Sequence, residues 1–190
     1  GLLRPDGRPG FKTPSGKVEL YSVLRERWGL EPLPHHEEPP FSPVSSPELF
    51  KQYPLILSTG RRSPVFFNSE HRNIPWLRDA DPDPVVELHP ETGAALGIGD
   101  GEWVWVENMF GKCRLKAKLT RIVPRWMASA THGWWYPEHE GAEPSLRGVW
   151  ESSTNQLLPM GYQGKDGLGT HAKCTLCKVY RANTAPAGAY

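Results

Sequence analysis

The sequence predicts a mainly β chain that closes, or nearly closes, into a barrel, with short peripheral helices and an extended N-terminal segment. Three observations carry this expectation. From Tyr53 onward, short apolar or alternating runs are bounded by turn residues. The 20 prolines and 19 glycines are spread along all 190 residues, which suits short strands better than a helical bundle. The runs are joined by hairpin-like turns and one short helix rather than by long crossovers.

The first fifty residues are irregular. "TPSGKVELYSVLRERWG" (Thr13 to Gly29) predicts a short strand and then about two turns of helix ended by Gly29. "EPLPHHEEPPFSPVSSP" (Glu31 to Pro47) holds too many prolines for a regular element and reads as an extended, wrapping segment. "YPLILS", from Tyr53, is a continuous apolar run between turn residues and predicts a buried strand. "VVELHPETGAALGIGDGEWVWVEN" then reads as strand, helix, turn and strand. Pro90 sits where a helix has no use for an N–H, Glu91 suits the positive end of the dipole, and Gly97 stops the helix. Asp100-Gly101 turns the chain into a strand whose Trp103 and Trp105 oppose Val104 and Val106, so both faces should be covered. "NMFG" closes a hairpin into "KCRLKAKLT", where Cys113, Leu115, Ala117 and Leu119 alternate with basic residues. "RWMASATHGWW" supplies a further strand ending in a loop, and "CTLCKVY" the last one.

Composition narrows the function classes. A net charge of +1 with 38% hydrophobic residues argues against disorder and against a generally basic nucleic-acid binder. No apolar stretch is long enough to insert directly into a membrane. "GLLRPDGRPGF" lacks the apolar stretch of a signal peptide, and a first residue other than Met predicts a processed chain or a piece of a longer one. Three cysteines do not make a disulfide framework, and Cys174-Thr-Leu-Cys177 has no second ligand pair to complete a zinc site. His132 and His139 lack H-E-x-x-H spacing, and His35-His36 lies among prolines. G-x-S-x-G, P-loop and G-x-G-x-x-G patterns are all missing. The chain has binding groups without a recognisable catalytic engine.

Two clusters carry those groups. In "STGRRSPVFFNSEHR", Thr59 and Gly60 leave a buried strand, and Arg61 and Arg62 present planar forks suited to phosphate. Asn68, Ser69, His71 and Arg72 add directional donors and acceptors. Residue chemistry alone leaves two readings open: an anion or nucleotide loop, and a solvated loop whose arginines pair with carboxylates. In "THGWWYPEHEG", His132-Gly133 precedes Trp134, Trp135 and Tyr136, which could wall a heteroaromatic ring or cap the core; for a bare aromatic pair the core role is the commoner.

"GFKTPSGKVELYS", "YPLILSTGRRSPVFFNSEHRNIPWLR", "PDPVVELHPETGAALGIGDGEWVWVEN", "THGWWYPE" and "CKVYR", in that order, resemble the C-terminal portion of molybdenum- or tungsten-dependent oxidoreductases of the dimethyl sulfoxide reductase family. The branch most similar contains thiosulfate and polysulfide reductase catalytic subunits and acetylene hydratase. The resemblance implies a six-stranded double-psi β-barrel over residues 51–182, after an extended segment 1–50 and before a flexible tail 183–190. It implies a cofactor of two pyranopterin guanine dinucleotides (bis-MGD) with Mo or W in a full-length parent, not expected to stay on the isolated chain. Matching positions place Thr59, Gly60, Arg61, Arg62, Phe67, Asn68, Ser69, His71, His132, Gly133, Trp134 and Asn155 at the cofactor. No catalytic or metal-ligating residue is implied here, because the family's metal ligand and Fe–S cysteines belong to earlier domains, and no turnover is expected of the chain alone. Cys177 fits the family's closing segment, whereas Cys174 does not. The implied partners are the other domains of the parent, with an electron-transfer subunit also allowed, and neither nucleic acid nor membrane. Anaerobic respiration is the implied setting, on either side of the membrane. Two alternatives remain: a free-standing barrel module binding a nucleotide or protein partner, and, more weakly, a small metal-dependent hydrolase.

Overall fold

The computed structural model describes residues 6–161 and 174–182. Among these, residues 6–37 form one compact unit, and residues 38–161 with 174–182 form another. The expected tail 183–190 lies outside the described residues.

In the first unit, helix α1 (Val23–Arg27) starts at Ser22, whose side chain accepts the Arg25 N–H at 3.3 Å. The helix is shorter than the sequence suggests, and its chain reverses at Gly29 with φ +71°. The strand expected before it does not form. Instead, Thr13 Oγ1 donates to the Lys17 carbonyl at 2.6 Å and the Gly16 N–H to the Thr13 carbonyl at 3.0 Å, so the segment satisfies itself locally. Val18 and Leu20 are 63% and 84% exposed, which leaves no buried face to drive strand pairing.

The second unit opens with helix α2 (Pro47–Gln52), followed by β1 (Leu55–Arg61), α3 (Pro75–Ala80), β2 (Val85–Leu88), α4 (Pro90–Ala95), β3 (Trp103–Glu107), β4 (Lys112–Leu119), β5 (Met127–Thr131), α5 (Val149–Ser152) and β6 (Thr175–Arg181). The strands close into a barrel in the order β1-β5-β2-β4-β3-β6. This is the six-stranded double-psi barrel that the resemblance implies. Its connections differ from the hairpins expected from turn residues alone. β1 runs parallel to β5 and β2 parallel to β4, and parallel neighbours cannot be joined by a tight turn. The β3–β4 pair is the hairpin, with Val104 opposite Leu115 and Val106 opposite Cys113.

Strand alternation builds the interior. Leu55 and Leu57 of β1, Val86 and Leu88 of β2, Val104 and Val106 of β3, and Cys113 and Leu115 of β4 all point into one apolar cluster. Ala117, Ala128 and Ala130 complete it with small side chains, as a narrow barrel requires. On the outer face, Trp103 and Trp105 are covered by the basic row of β4, with the Lys112 ammonium 4.7 Å and the Arg114 guanidinium 5.2 Å from the Trp105 ring centre. Cys177 lies in β6, and Cys174 immediately precedes the strand's first residue, Thr175; all three cysteines are free. Burial pushes the Cys113 and Cys177 thiols far above their usual range, which keeps both protonated and inert.

Candidate functional site

Because β1 and β5 are parallel neighbours, the loops that follow them leave from the same end of the barrel. Arg61 of β1 stands opposite Thr131 of β5 in the register. The Thr131 hydroxyl accepts the Arg61 Nη1–H at 3.0 Å and lies 3.0 Å from both the N and the O of Val85, tying the ends of β1, β5 and β2 together. A third segment joins them: Thr154 Oγ1 donates to the Thr131 carbonyl at 3.0 Å, docking the 3-10 turn Thr154–Leu157 and its exposed Asn155 against β5. Three stretches distant in sequence thus meet at one end.

The two adjacent arginines part company there. Arg61 is held against the barrel wall by its partners, with its side chain 13% exposed. Its Nε donates to Glu87 Oε1 at 3.2 Å, and Asp81 lies 3.8 Å from Nη1. Arg62 is exposed and makes no hydrogen bond or ion pair among the described residues. Thr59 is buried in β1, and Gly60 is half-buried between them.

The loop after β1 carries Phe67, Asn68, Ser69 and His71, all exposed. Asn68 and His71 hold left-handed backbone at φ +53° and +72°. Asn and His tolerate that region better than most side chains, and such positions gather at ligand clamps. The loop after β5 starts with His132, whose N–H donates to the Arg61 carbonyl at 3.4 Å. Burial first, then Arg62 and Arg72, lower the His132 pKa, so its ring is neutral at physiological pH. Gly133 turns the chain at φ +50° and comes against Ser69. The two loops are also tied by the Trp135 indole, which donates to the Ser69 carbonyl at 2.6 Å.

Trp134 faces the other way. It is 1% exposed and packs with Phe66 and Tyr136 in a second, smaller core beneath the loops. Two arginines interleave with these rings, Arg72 at 4.5 Å from Trp134 and Arg78 at 4.9 Å. Arg78 also pairs with Glu138 at 3.0 Å. The sequence shows Arg72 only as one donor among several and does not single out Thr131 or Arg78 at all. A buried arginine between aromatics has no signature in spacing, since its partners lie about sixty residues away.

Among the described residues the face therefore presents one guanidinium without a partner, two amides, a hydroxyl, two imidazoles and an exposed phenyl ring, with the backbone of three segments behind them. That is a donor-rich surface suited to phosphates and heteroaromatic edges. Among the described residues no group of three His, Cys, Asp or Glu side chains could hold a metal ion.

Residues 55–163 match the family model for the "Molydopterin dinucleotide binding domain". The chain is 47% identical over 137 residues to acetylene hydratase of Syntrophotalea acetylenica, covering 72% of this chain and 19% of that protein. It is 38% identical over 185 residues to dopamine dehydroxylase of Eggerthella lenta, covering 93% of this chain and 17% of that one. Among solved structures, acetylene hydratase from Pelobacter acetylenicus aligns with a TM-score of 0.82 and 37% identity, covering 95% of this chain and 25% of its own. The chain thus spans a quarter or less of the length of these relatives. With the barrel and the matched segment together, the chain belongs to the molybdopterin dinucleotide-binding domains of the dimethyl sulfoxide reductase family.

Proposed function

We propose that the face at the ends of β1 and β5 binds a bis(pyranopterin guanine dinucleotide) cofactor, and that the chain does so as one domain of a larger molybdenum or tungsten oxidoreductase. The observation that carries this reading is the split between the arginines: Arg61 is spent on Glu87 and Thr131, while Arg62 stands exposed near His132 with no partner among the described residues, at the end of the barrel from which the loop carrying Asn68 and Ser69 also leaves. An unpaired guanidinium flanked by amide and hydroxyl groups fits a pyrophosphate with attached heteroaromatic rings.

In this reading Arg62 neutralises pyrophosphate charge, and Asn68, Ser69 and Asn155 hydrogen-bond ring edges. His132 stays neutral, with one ring nitrogen donating and the other accepting. Arg61, Thr59 and Gly133 shape the backbone behind the ligand. When bound, the cofactor supplies the metal centre for oxygen-atom transfer, hydration or electron transfer. In this reading the chain's own task is to hold and orient that cofactor.

The test is Arg62→Ala in the full-length oxidoreductase. Loss of a charge-assisted contact of about 1.5–3 kcal/mol should lower pterin and metal content in the purified protein roughly tenfold or more. Unchanged pterin and metal content in the folded variant refutes the role.

A further inference from the structure

We propose that Arg72 is a positioning residue of this face, a buried clamp that holds the Asn68 and His132 carbonyls together and thereby sets which side chains the two loops turn toward the ligand. The proposal rests on the reading of the face as a pterin dinucleotide site.

The geometry is specific. Arg72 is 1% exposed, and its Nη2 donates to the Asn68 carbonyl at 3.1 Å and to the His132 carbonyl at 3.3 Å. One nitrogen thus bridges two loops sixty residues apart. The guanidinium carbon lies 5.0 Å from the Phe66 ring centre and 4.5 Å from that of Trp134, so the plane of the fork is held by aromatic rings. The Asn68 carbonyl belongs to a left-handed residue at φ +53°, whose orientation decides where the Asn68 and Ser69 side chains point. His132 follows the last residue of β5 directly, so a fixed carbonyl there fixes the path into Gly133.

Stability does not account for a cation in this place. Arg72 Nε and Nη1 are buried without a hydrogen-bond partner among the described residues. Burial and the nearby Arg78 bring its pKa down to about 10, against a smaller opposing effect of Asp81. Burying a charge with unused donors is costly, and an apolar side chain of similar length would fill the same space at less expense. What an apolar side chain cannot do is bind both carbonyls. A lysine, with a compact ammonium in place of a planar fork, cannot lie against the rings and keep both bonds.

The experiment compares Arg72→Lys, Tyr136→Phe and Arg62→Ala in the full-length oxidoreductase, reading pterin content and melting temperature together. Arg72→Lys should fold and lose pterin roughly tenfold or more, the scale typical when a group that orients a binding residue is removed. Tyr136→Phe removes the hydroxyl bonded to Ser152 in the same aromatic layer and leaves both rings beside Arg72, so it should lower the melting temperature while retaining pterin. Normal pterin content in folded Arg72→Lys, or equal loss in Tyr136→Phe, overturns the clamp. Normal content in Arg62→Ala instead overturns the binding site itself, so the two failures are distinguishable. Should Arg72→Lys not fold, native-state hydrogen exchange on the unmutated protein decides. Residues 67–71 and 132–135 open with one common free energy if Arg72 joins them, and separate openings refute the proposal.

Discussion

The barrel interior and the layer beneath its loops are both buried, yet they are built on opposite principles. The interior is made of Leu, Val, Ala and Cys on alternating strand positions, and its largest members, Leu57, Leu88 and Leu115, are fully shielded from water. Such packing gains free energy from nearly every atom it hides. The layer is made of Phe66, Trp134 and Tyr136 interleaved with Arg72 and Arg78, and among the described residues it leaves the Trp134 indole N–H and two Arg72 nitrogens without partners. Each such orphan costs roughly 1–3 kcal/mol, so this region gives up stability for a fixed arrangement of loops. The scaffold is rigid for its own sake, whereas the layer is rigid for the sake of what lies above it.

The largest expected effect falls on the scaffold. Leu115→Ala opens a cavity among fully packed side chains and should cost about 2–5 kcal/mol, read as a drop in the thermal midpoint. A loss under about 1 kcal/mol would mean that the interior relaxes around the gap and that the contrast with the layer is overstated. A smaller effect separates the neighbouring arginines. Arg61→Met leaves Glu87 and the Thr131 hydroxyl without their main donor and should destabilise by about 1–3 kcal/mol in chemical denaturation. Arg62→Met, at an exposed position with no partner among the described residues, should stay within about 0.5 kcal/mol. If the two rank the other way, the assignment of Arg61 to the scaffold and Arg62 to the face is reversed.

That division shows what was legible in the sequence. Short apolar runs between turn residues mark the barrel strands, and in β4 period-2 alternation marks the buried face as well, because burial on one face leaves a trace every second residue. Along β1 the alternation of burial holds through Leu55, Leu57 and Thr59, but a register irregularity between Ser58 and Arg61 brings Arg61 to the outer row beside Glu87, and no spacing in the sequence announces that break. The short helices were half legible. Pro90 reads as a helix start, and Pro47 and Pro75 begin helices in the same way, yet each opens a helix of six residues whose formation depends on tertiary packing. The order of the strands lay beyond periodicity, since alternation says which face is buried and nothing about which strand lies alongside. The resemblance to a known family carried that step. Trp134 shows the remaining limit: an aromatic next to His-Gly can face a ligand or a core, and only the rings and guanidinium groups around it decide that it faces the core.

The smallest expected effect is also the most local, a shift in the titration of His132. Burial and the charges of Arg62 and Arg72 hold its pKa below the ordinary 6.5. Above that pH both folded and unfolded chains carry the neutral ring, and this group makes no pH-dependent contribution. As pH falls below it, the unfolded chain takes the proton first, and the folded state loses stability until its own lower pKa is reached. Arg62→Met removes one of the two cations and leaves burial in place, so the folded-state midpoint should rise toward, but not reach, the ordinary value. The imidazole resonances of His132 report this directly by NMR. A midpoint that does not move means that the Arg62 guanidinium turns away from His132, and then Arg62 does not share a binding face with the loop after β5.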